Sequence, residues 1–305
     1  MDSTTGALVI RDELWSQEVQ KEFQEMLMAQ DCVDFVTDFP DGDLLTIPKF
    51  GSLAARAYDG GDVIYDDMSL SEFQLSITES LQSNTFIHDD VKDDSFYIGQ
   101  VEAHYPQQMI RAIMERLEND IFLLHKEQTS NDANTINGIA HRFVATGTAN
   151  TNNNSMALTD VAKAKLALDK ANVPKNGRKA FVDPQVAYQL VNIDNVIRQD
   201  VYGANNSLKE GFGGSEYIGR YLGFDFYESN MLDEATALDH ATGGALIANM
   251  FVGPEVFKGA IRRMPTIEFN RNSNKQRDEY ISRMRYGLDL FRPESLVTVL
   301  TGTYA

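Results

Sequence analysis

The sequence predicts an α+β fold, in which long helical stripes and extended hairpin-like runs are both present. Three observations predict it. One long apolar stripe runs through residues 101–128 at helical spacing. A helix–strand–helix pattern fills residues 158–191. From Thr266 onward the chain reads almost entirely as strand. No internal repeat is present.

Residues 10–29 read as the first helix. Leu14, Trp15, Val19, Phe23, Met26 and Leu27 recur at helical spacing, with Glu13, Glu18, Glu22 and Glu25 between them. Residues 43–79 change period. LLTIPKF is a short extended run that Pro48 marks as an edge, and SEFQLSIT alternates Phe73, Leu75 and Ile77 with polar residues. A turn is expected between them at Asp59-Gly60-Gly61. The segment therefore reads as a long twisted hairpin, marginal by itself in water, that must lie on something.

In residues 101–128 the stripe is Met109, Ile110, Ile113, Met114, Leu117, Ile121 and Leu124. Proline is best tolerated in a first turn, so the regular helix is expected to start near Pro106. His125 and Lys126 then sit at the negative end of its dipole. Residues 131–155, rich in Asn, Thr and Gly, read as a linker. The next helix, LTDVAKAKLALDKA, is expected to take Thr159 or Asp160 as its cap and to stop at Asn172-Val173-Pro174. After a turn at Lys175-Asn176-Gly177-Arg178, the run from Lys179 to Val182 is a strand. Asp183 caps and Pro184 opens another helix, which buries Ala187, Leu190 and Val191. Residues 202–216 form a loop rich in Gly and Asn. YIGRYLGFDFYESN reads as a hairpin with Gly219 and Gly223 near its bends, and GALIANMFVG as a buried strand. TIEF, EYISRMRYGLDLF and SLVTVLT are the closing strands.

The 305 residues suffice for one large domain or two ordinary ones, and 43% apolar content supports a real core. The single cysteine, Cys32, excludes an intrachain disulfide and a thiolate metal cage. No apolar run reaches the ~18 residues of a membrane span. The opening MDSTTGALVIRDELW has neither a cationic start nor a long apolar core, so no secretory signal is expected.

Charge is uneven. Of the net −18, residues 1–100 carry 21 acidic and 5 basic side chains, whereas Arg262 to Arg292 hold 8 basic and 4 acidic. A chain this acidic lacks the basic stripe that duplex binding needs. The uneven pattern fits either a solvated surface of uneven charge or contact between the acidic front of one copy and the cationic tail of another.

Each catalytic signature fails. His88, His104, His125, His141 and His240 show no HExxH or HxH spacing. There is no GxSxG elbow. Gly211-Phe212-Gly213-Gly214 lacks the Lys-Ser/Thr of a phosphate loop and the preceding strand of a dinucleotide fold. The aspartates of YDGGDVIYDD lack calcium-loop spacing. Asp31, Asp34 and Asp38 around Cys32 would raise its thiol pKa rather than activate it.

The order of elements resembles the major capsid protein of tailed double-stranded DNA bacteriophages, the HK97-like fold, in its podovirus-type members. LLTIPKFGSLAARAYDGGDVIYDD with SEFQLSIT resembles the extended E-loop, and YPQQMIRAIMERLENDIFLL the spine helix of the peripheral (P) domain. VAKAKLALDKANVPKNGRKAFVDPQVAYQLV resembles the start of the axial (A) domain. YIGRYLGFDFYESNML is similar to the hairpin after the A-loop, and RYGLDLFRPESLVTV to the closing P-domain strand. The resemblance implies an N-terminal arm at 1–42, an E-loop hairpin at 43–92, a P domain at 93–155, an A domain at 156–254 and a return to the P domain at 255–305.

It further implies a non-enzymatic protein that assembles with itself, as pentamers and hexamers, into an icosahedral shell around double-stranded DNA. Catalytic residues, cofactor and metal are expected to be absent, as are a membrane and sequence-specific DNA contacts. Scaffolding, portal and decoration proteins are the other expected partners. The expected location is the virion capsid, built in the host bacterial cytoplasm. Inter-subunit contacts are expected at Trp15, Phe23, Lys49, Phe50, Arg56, Tyr58, Asp59, Asp62 and Phe73, and at Arg262, Arg263, Arg271, Arg277, Arg283 and Arg285. Asn205, Asn206, Lys209 and Phe212 are expected in the loop at the capsomer centre. Neither a Lys–Asn cross-link through Lys49 nor proteolytic processing is carried over. Three other readings fit the same residues: an encapsulin-like nanocompartment shell, a cytoplasmic α/β enzyme with an unrecognised site, and a ring-forming tail or head-completion protein.

Overall fold

The computed structural model describes residues 27–36, 42–51, 55–57, 60, 62, 65, 70–94, 98–128, 134–148, 154–191, 217–235 and 246–302. The terminal amphipathic helix, most of the hairpin turn and the 202–216 loop lie outside them. Of the expected first helix, residues 27–29 are described: 27 and 28 are not helical, and Ala29 opens a short 3-10 turn, Ala29–Cys32.

Two sheets organise the chain. The first is four-stranded, in the order β1 (Val33–Val36), β13 (Phe257–Asn272), β14 (Arg277–Leu290), β4 (Glu79–His88). The second runs β7 (Arg142–Val144), β15 (Leu296–Gly302), β12 (Leu246–Val252), β8 (Lys179–Val182), β10 (Phe224–Glu228), β9 (Tyr217–Tyr221), with β11 (Glu234–Ala235) also on β12. The expected hairpin is present as a separate ribbon, β2 (Leu44–Phe50) antiparallel to β3 (Leu70–Ser76). A short pair, β5 (Thr135–Ile136) and β6 (Ile139–Ala140), precedes β7. Four α-helices are described: α1 (Asp89–Asp94), α2 (Ile98–Leu123), α3 (Leu158–Lys170) and α4 (Pro184–Val191).

The second sheet is buried on both faces, so its central strands β12 and β15 are buried at every position rather than at alternate ones. Successive residues feed different cores. Ala180, Val182, Phe251, Val297 and Val299 join Val161, Ala164, Ala167 and Leu168 of α3 and Val186, Ala187 and Leu190 of α4. Phe181, Met250, Val252 and Leu296 join Ile113, Leu117 and Ile121 of α2 and Met284, Tyr286 and Leu290 of β14. The helix α2 is therefore wedged between the two sheets, and its apolar stripe is the one the spacing predicts.

Where local signals are strong the elements fall as expected. Asn172 takes a positive φ of 58° to end α3, and Gly177 one of 73° in the turn. Asp183 Oδ2 accepts the Gln185 N–H at 3.0 Å, with Pro184 in the first helical position. Five expectations need correction. The helix α2 spans 26 residues, about 39 Å at 1.5 Å per residue, with Pro106 inside it. The proline forfeits one backbone bond without ending the helix. The 131–155 linker contains β5, β6 and β7; three residues of β7 are too few to show a period. Ala157, not Thr159 or Asp160, is the cap residue of α3, and Asp160 serves it from the first turn. Gly219 lies inside β9 beside a break in register, and the bend is Leu222-Gly223, both at positive φ. Finally, β13 begins at Phe257, nine residues before Thr266. Register breaks around Arg263, and Pro265, hide its period in the sequence.

Candidate assembly surfaces and the joints that carry them

The ribbon's root is a small core of its own. Leu75 and Ile77 pack on Ala260 of β13, with Leu45 and Phe73 at the margin. Asp43, at the start of the ribbon, is a charge hub: its Oδ1 accepts from Arg262 Nη1 at 2.8 Å and Arg285 Nη2 at 3.0 Å. Arg262 also donates to the Gly42 carbonyl at 2.8 Å. Phe73 meets Phe291 edge-on, with centroids 5.0 Å apart, and Lys49 reaches the same ring and stands 4.0 Å from Glu294. The ribbon then departs from the body, and Phe50, Tyr65 and Leu70 are exposed by 68%, 88% and 62%.

Gly287 of β14 explains how closely the root sits. A Cβ there would stand 2.2 Å from the Ser76 carbonyl oxygen and 2.9 Å from its carbon. Both are backbone atoms and cannot rotate away. Gly287→Ala is expected to lift the root and cost about 1–3 kcal/mol. Faster protease cutting within the ribbon, at unchanged cutting elsewhere, is the readout.

The tip of the β13–β14 hairpin is tied by ions. Arg271 donates to Asp89 at 2.6 Å and to Asp278 at 3.1 Å, and Lys92 also bonds Asp278. The Lys92 bond and then the Arg271 bond, working against desolvation, hold the Asp278 carboxyl below its usual range. Arg277 bonds Glu279 at 2.7 Å and lies 4.3 Å over the Phe86 ring. Arg263 pairs with Glu268, and Arg283 is exposed. Met264 and Phe269 are exposed on the same hairpin.

These contacts change the meaning of the uneven charge. Asp34, Asp43 and Asp89 of the acidic front engage Lys258, Arg262, Arg271 and Arg285 of the cationic tail within one chain. The complementarity is met first at home. Of the other expected contact residues, Arg56 and Asp62 are exposed. Trp15, Phe23, Tyr58, Asp59, Asn205, Asn206, Lys209 and Phe212 lie outside the described residues.

Sequence reasoning missed three buried polar joints. At the first, Glu118 of α2 accepts the N–H groups of Met28 and Ala29, both at 2.7 Å, and so fixes where the N-terminal segment joins the body. In the second, Asn249 of β12 accepts the Asp183 N–H at 2.9 Å and donates to Thr301 Oγ1 at 2.8 Å and the Val299 carbonyl at 3.2 Å. The third lies at the end of α2. His125 is fully buried; Arg142 Nη1 is 3.0 Å from its Nδ1, and Asp233 Oδ2 3.0 Å from its Nε2. A guanidinium only donates, so Nδ1 accepts and the Nε2–H donates to Asp233. Lys126 completes the group, 2.8 Å from Asp233.

Burial keeps the His125 pKa below its ordinary value, against the Asp233 hydrogen bond that would raise it, and burial does the same for His141. The unfolded chain therefore takes up these protons first. The stability they contribute is full above about pH 6.5 and drains as pH falls below it. His125→Gln retains a donor for Asp233 and an acceptor for Arg142. It is expected to flatten that slope, leaving the His141 share, in urea midpoints measured between pH 7 and 5.

Cys32 is half-buried in a setting that pushes its thiol up to about 12, desolvation first and the neighbouring acids Asp31 and Glu118 after it, with Lys179 opposing. The direction is the one expected from the sequence, but desolvation is the main cause. Among the described residues no group of His, Cys, Asp or Glu is arranged to hold a metal ion, and no helix is long and apolar enough to cross a membrane.

A family model described as phage capsid protein matches residues 84–299. No curated protein matches the chain. Among solved structures, one from Mycobacterium phage Che8 is similar with a TM-score of 0.71 at 18% identity, covering 96% of this chain and 97% of that one. The capsid structure of the cyanophage P-SCSP1u is similar at 0.75 and 20%, covering 98% and 94%. The capsid of a native GTA particle computed with C5 symmetry is similar at 0.65 and 12%, covering 99% and 100%.

Proposed function

The chain belongs to the phage capsid protein family and carries the HK97-like fold, and from that premise we propose that it is the major head protein of a tailed phage, closing as pentamers and hexamers into an icosahedral shell around double-stranded DNA. The observation that carries this reading is the ribbon. Among the described residues β2 and β3 pair only with each other, and their far end exposes Phe50, Tyr65 and Leu70. A two-stranded ribbon is marginal in water and needs a surface to lie on. A neighbouring copy supplies it.

In this reading residues 1–42 are the arm and 43–92 the E-loop. Residues 93–155 and 255–305 form the P domain, and 156–254 the A domain. Lys49, Phe50, Arg56, Tyr58, Asp59, Asp62 and Phe73 of the ribbon, with Trp15 and Phe23 of the arm, meet neighbours. Arg263, Arg277 and Arg283 offer them cationic ground on the hairpin. Asn205, Asn206, Lys209 and Phe212 face the capsomer centre. Exposed ion pairs contribute only ~0–1 kcal/mol each, so the aromatic residues supply most of the contact energy. Each contact is of the millimolar class, about −4 kcal/mol, and a subunit held by several is held firmly. The role is structural rather than enzymatic. Assembly takes place in the host cytoplasm with scaffolding, portal and decoration proteins, and the acidic surface avoids specific DNA contacts.

Negative-stain micrographs and sedimentation of the purified protein test this directly. Uniform closed particles are expected. A small defined oligomer at every concentration and salt condition would overturn the reading.

A further inference from the structure

Sheet edges are sites of unwanted strand pairing, and proteins guard them with charge, proline, bulges or brevity. The edges here are guarded, with one exception. β1 and β7 are four and three residues long. β13 beyond Ala260 carries Arg262, Arg263, Pro265 and two register breaks. The ribbon edge β2 carries Pro48 and Lys49, and its partner β3 carries Glu72. β9 has Arg220 and a register break. β4 has none of these beyond its first residue, Glu79. It is ten residues long, and from Ser80 to Ile87 it contains no charge, proline or glycine. One side pairs with β14 along its whole length, and among the described residues no strand pairs with the other.

We infer that this bare edge is a two-fold contact, in which β4 of one copy pairs antiparallel with β4 of a second. The sequence of the strand argues for itself as the occupant. An axis through the shell wall keeps the α2 side of both sheets on the same side, so facing residues share parity. Centred on Asn84, the register sets Asn84 against itself, Gln82 against Phe86 and Ser80 against His88 on the exposed face. On the α2 side it sets Ser83 against Thr85 and Leu81 against Ile87. Ser80, Gln82, Asn84, Phe86 and His88 are all exposed, whereas Leu81 and Ile87 are partly or fully buried against their own chain. Polar meets polar or aromatic, and apolar meets apolar, with no like charges opposed between Ser80 and His88. The two sheets merge into one of eight strands. An isologous contact closes on itself, so it joins subunits in pairs and complements the head-to-tail contacts of the ribbon.

The inference rests on the shell reading above, and the test separates them. Facing residues in such a pair have Cα atoms about 4.5–5.5 Å apart, within disulfide reach. Asn84→Cys is therefore expected to give covalent dimers in at least half of the chains when purified particles are mildly oxidised. Thr266→Cys on the neighbouring hairpin should give fewer than a tenth as many. Gln82→Cys combined with Phe86→Cys should reproduce the dimer. Normal particles without Asn84→Cys dimers, or with equal dimer from Thr266→Cys, would overturn the two-fold contact and leave the shell reading standing. Absence of both particles and dimers overturns both.

Discussion

Excising Thr46–Gln74 and joining Leu45 to Leu75 through an Asn-Gly turn is expected to abolish closed particles while leaving the body folded. Leu45 and Leu75 are cross-strand partners, so a two-residue turn bridges them without strain. Most of the root remains: Asp43 keeps Arg262 and Arg285, and Ile77 keeps its place on Ala260, while Phe73 leaves the Phe291 ring and Lys49 leaves Glu294. What is lost is the exposed apolar end with Phe50 and Leu70. If the ribbon is the clamp between copies, particle yield in micrographs should fall at least a hundredfold, while the soluble protein still melts in one cooperative transition, lowered only by the loss of the Phe73 and Lys49 contacts. Normal shells from the excised chain would show that the clamp lies elsewhere.

Asn249→Leu should have the largest effect on folding itself. The side chain fills a gap in the ladder of the second sheet, joining β12 to Asp183 at the start of α4 and to Val299 and Thr301 of β15. Leucine has similar volume but strands the Asp183 N–H and removes a donor from the Val299 carbonyl and a partner from Thr301. An orphaned buried donor costs about 1–3 kcal/mol, and the lost partners add to it, for a total of about 3–4 kcal/mol. Thermal midpoints should drop by roughly 6–12 °C. Asn249→Asp keeps the acceptor for Asp183 but turns an acceptor oxygen on the Ile247 and Val299 carbonyls, so it should not recover the loss. A change under 1 °C for the leucine variant would mean that the strand relaxes around it.

The contrast between Asp183 and Asn249 states what the sequence could and could not deliver. The Asp-Pro start of α4, the Asn172 stop of α3 and the stripe of α2 are local events, written within a few residues of themselves. The ribbon and the central strand β12 were legible for the same reason. Asn249 carries no such signal, because its partners are 50 and 66 residues away in sequence. Asp43 is more extreme: the arginines it gathers lie more than 200 residues on, so charge counting found the two populations but not their union. Gly287 looks like any glycine in a strand until the Ser76 backbone is seen against it. Pro265 and the breaks around Arg263 scrambled the period that would have announced β13. Assembly surfaces are harder still, since half of the chemistry that defines them belongs to another copy.

The environment of Cys32 has a practical corollary. A thiol held up by desolvation carries little thiolate at neutral pH, so Cys32 is expected to react with maleimides and disulfide reagents more slowly than an exposed cysteine in the folded protein. A cysteine introduced on the surface thus becomes the preferred reactive handle on each subunit without first mutating the native one. A regular array of dyes, spin labels or cargo could be attached to the wild-type background with one substitution.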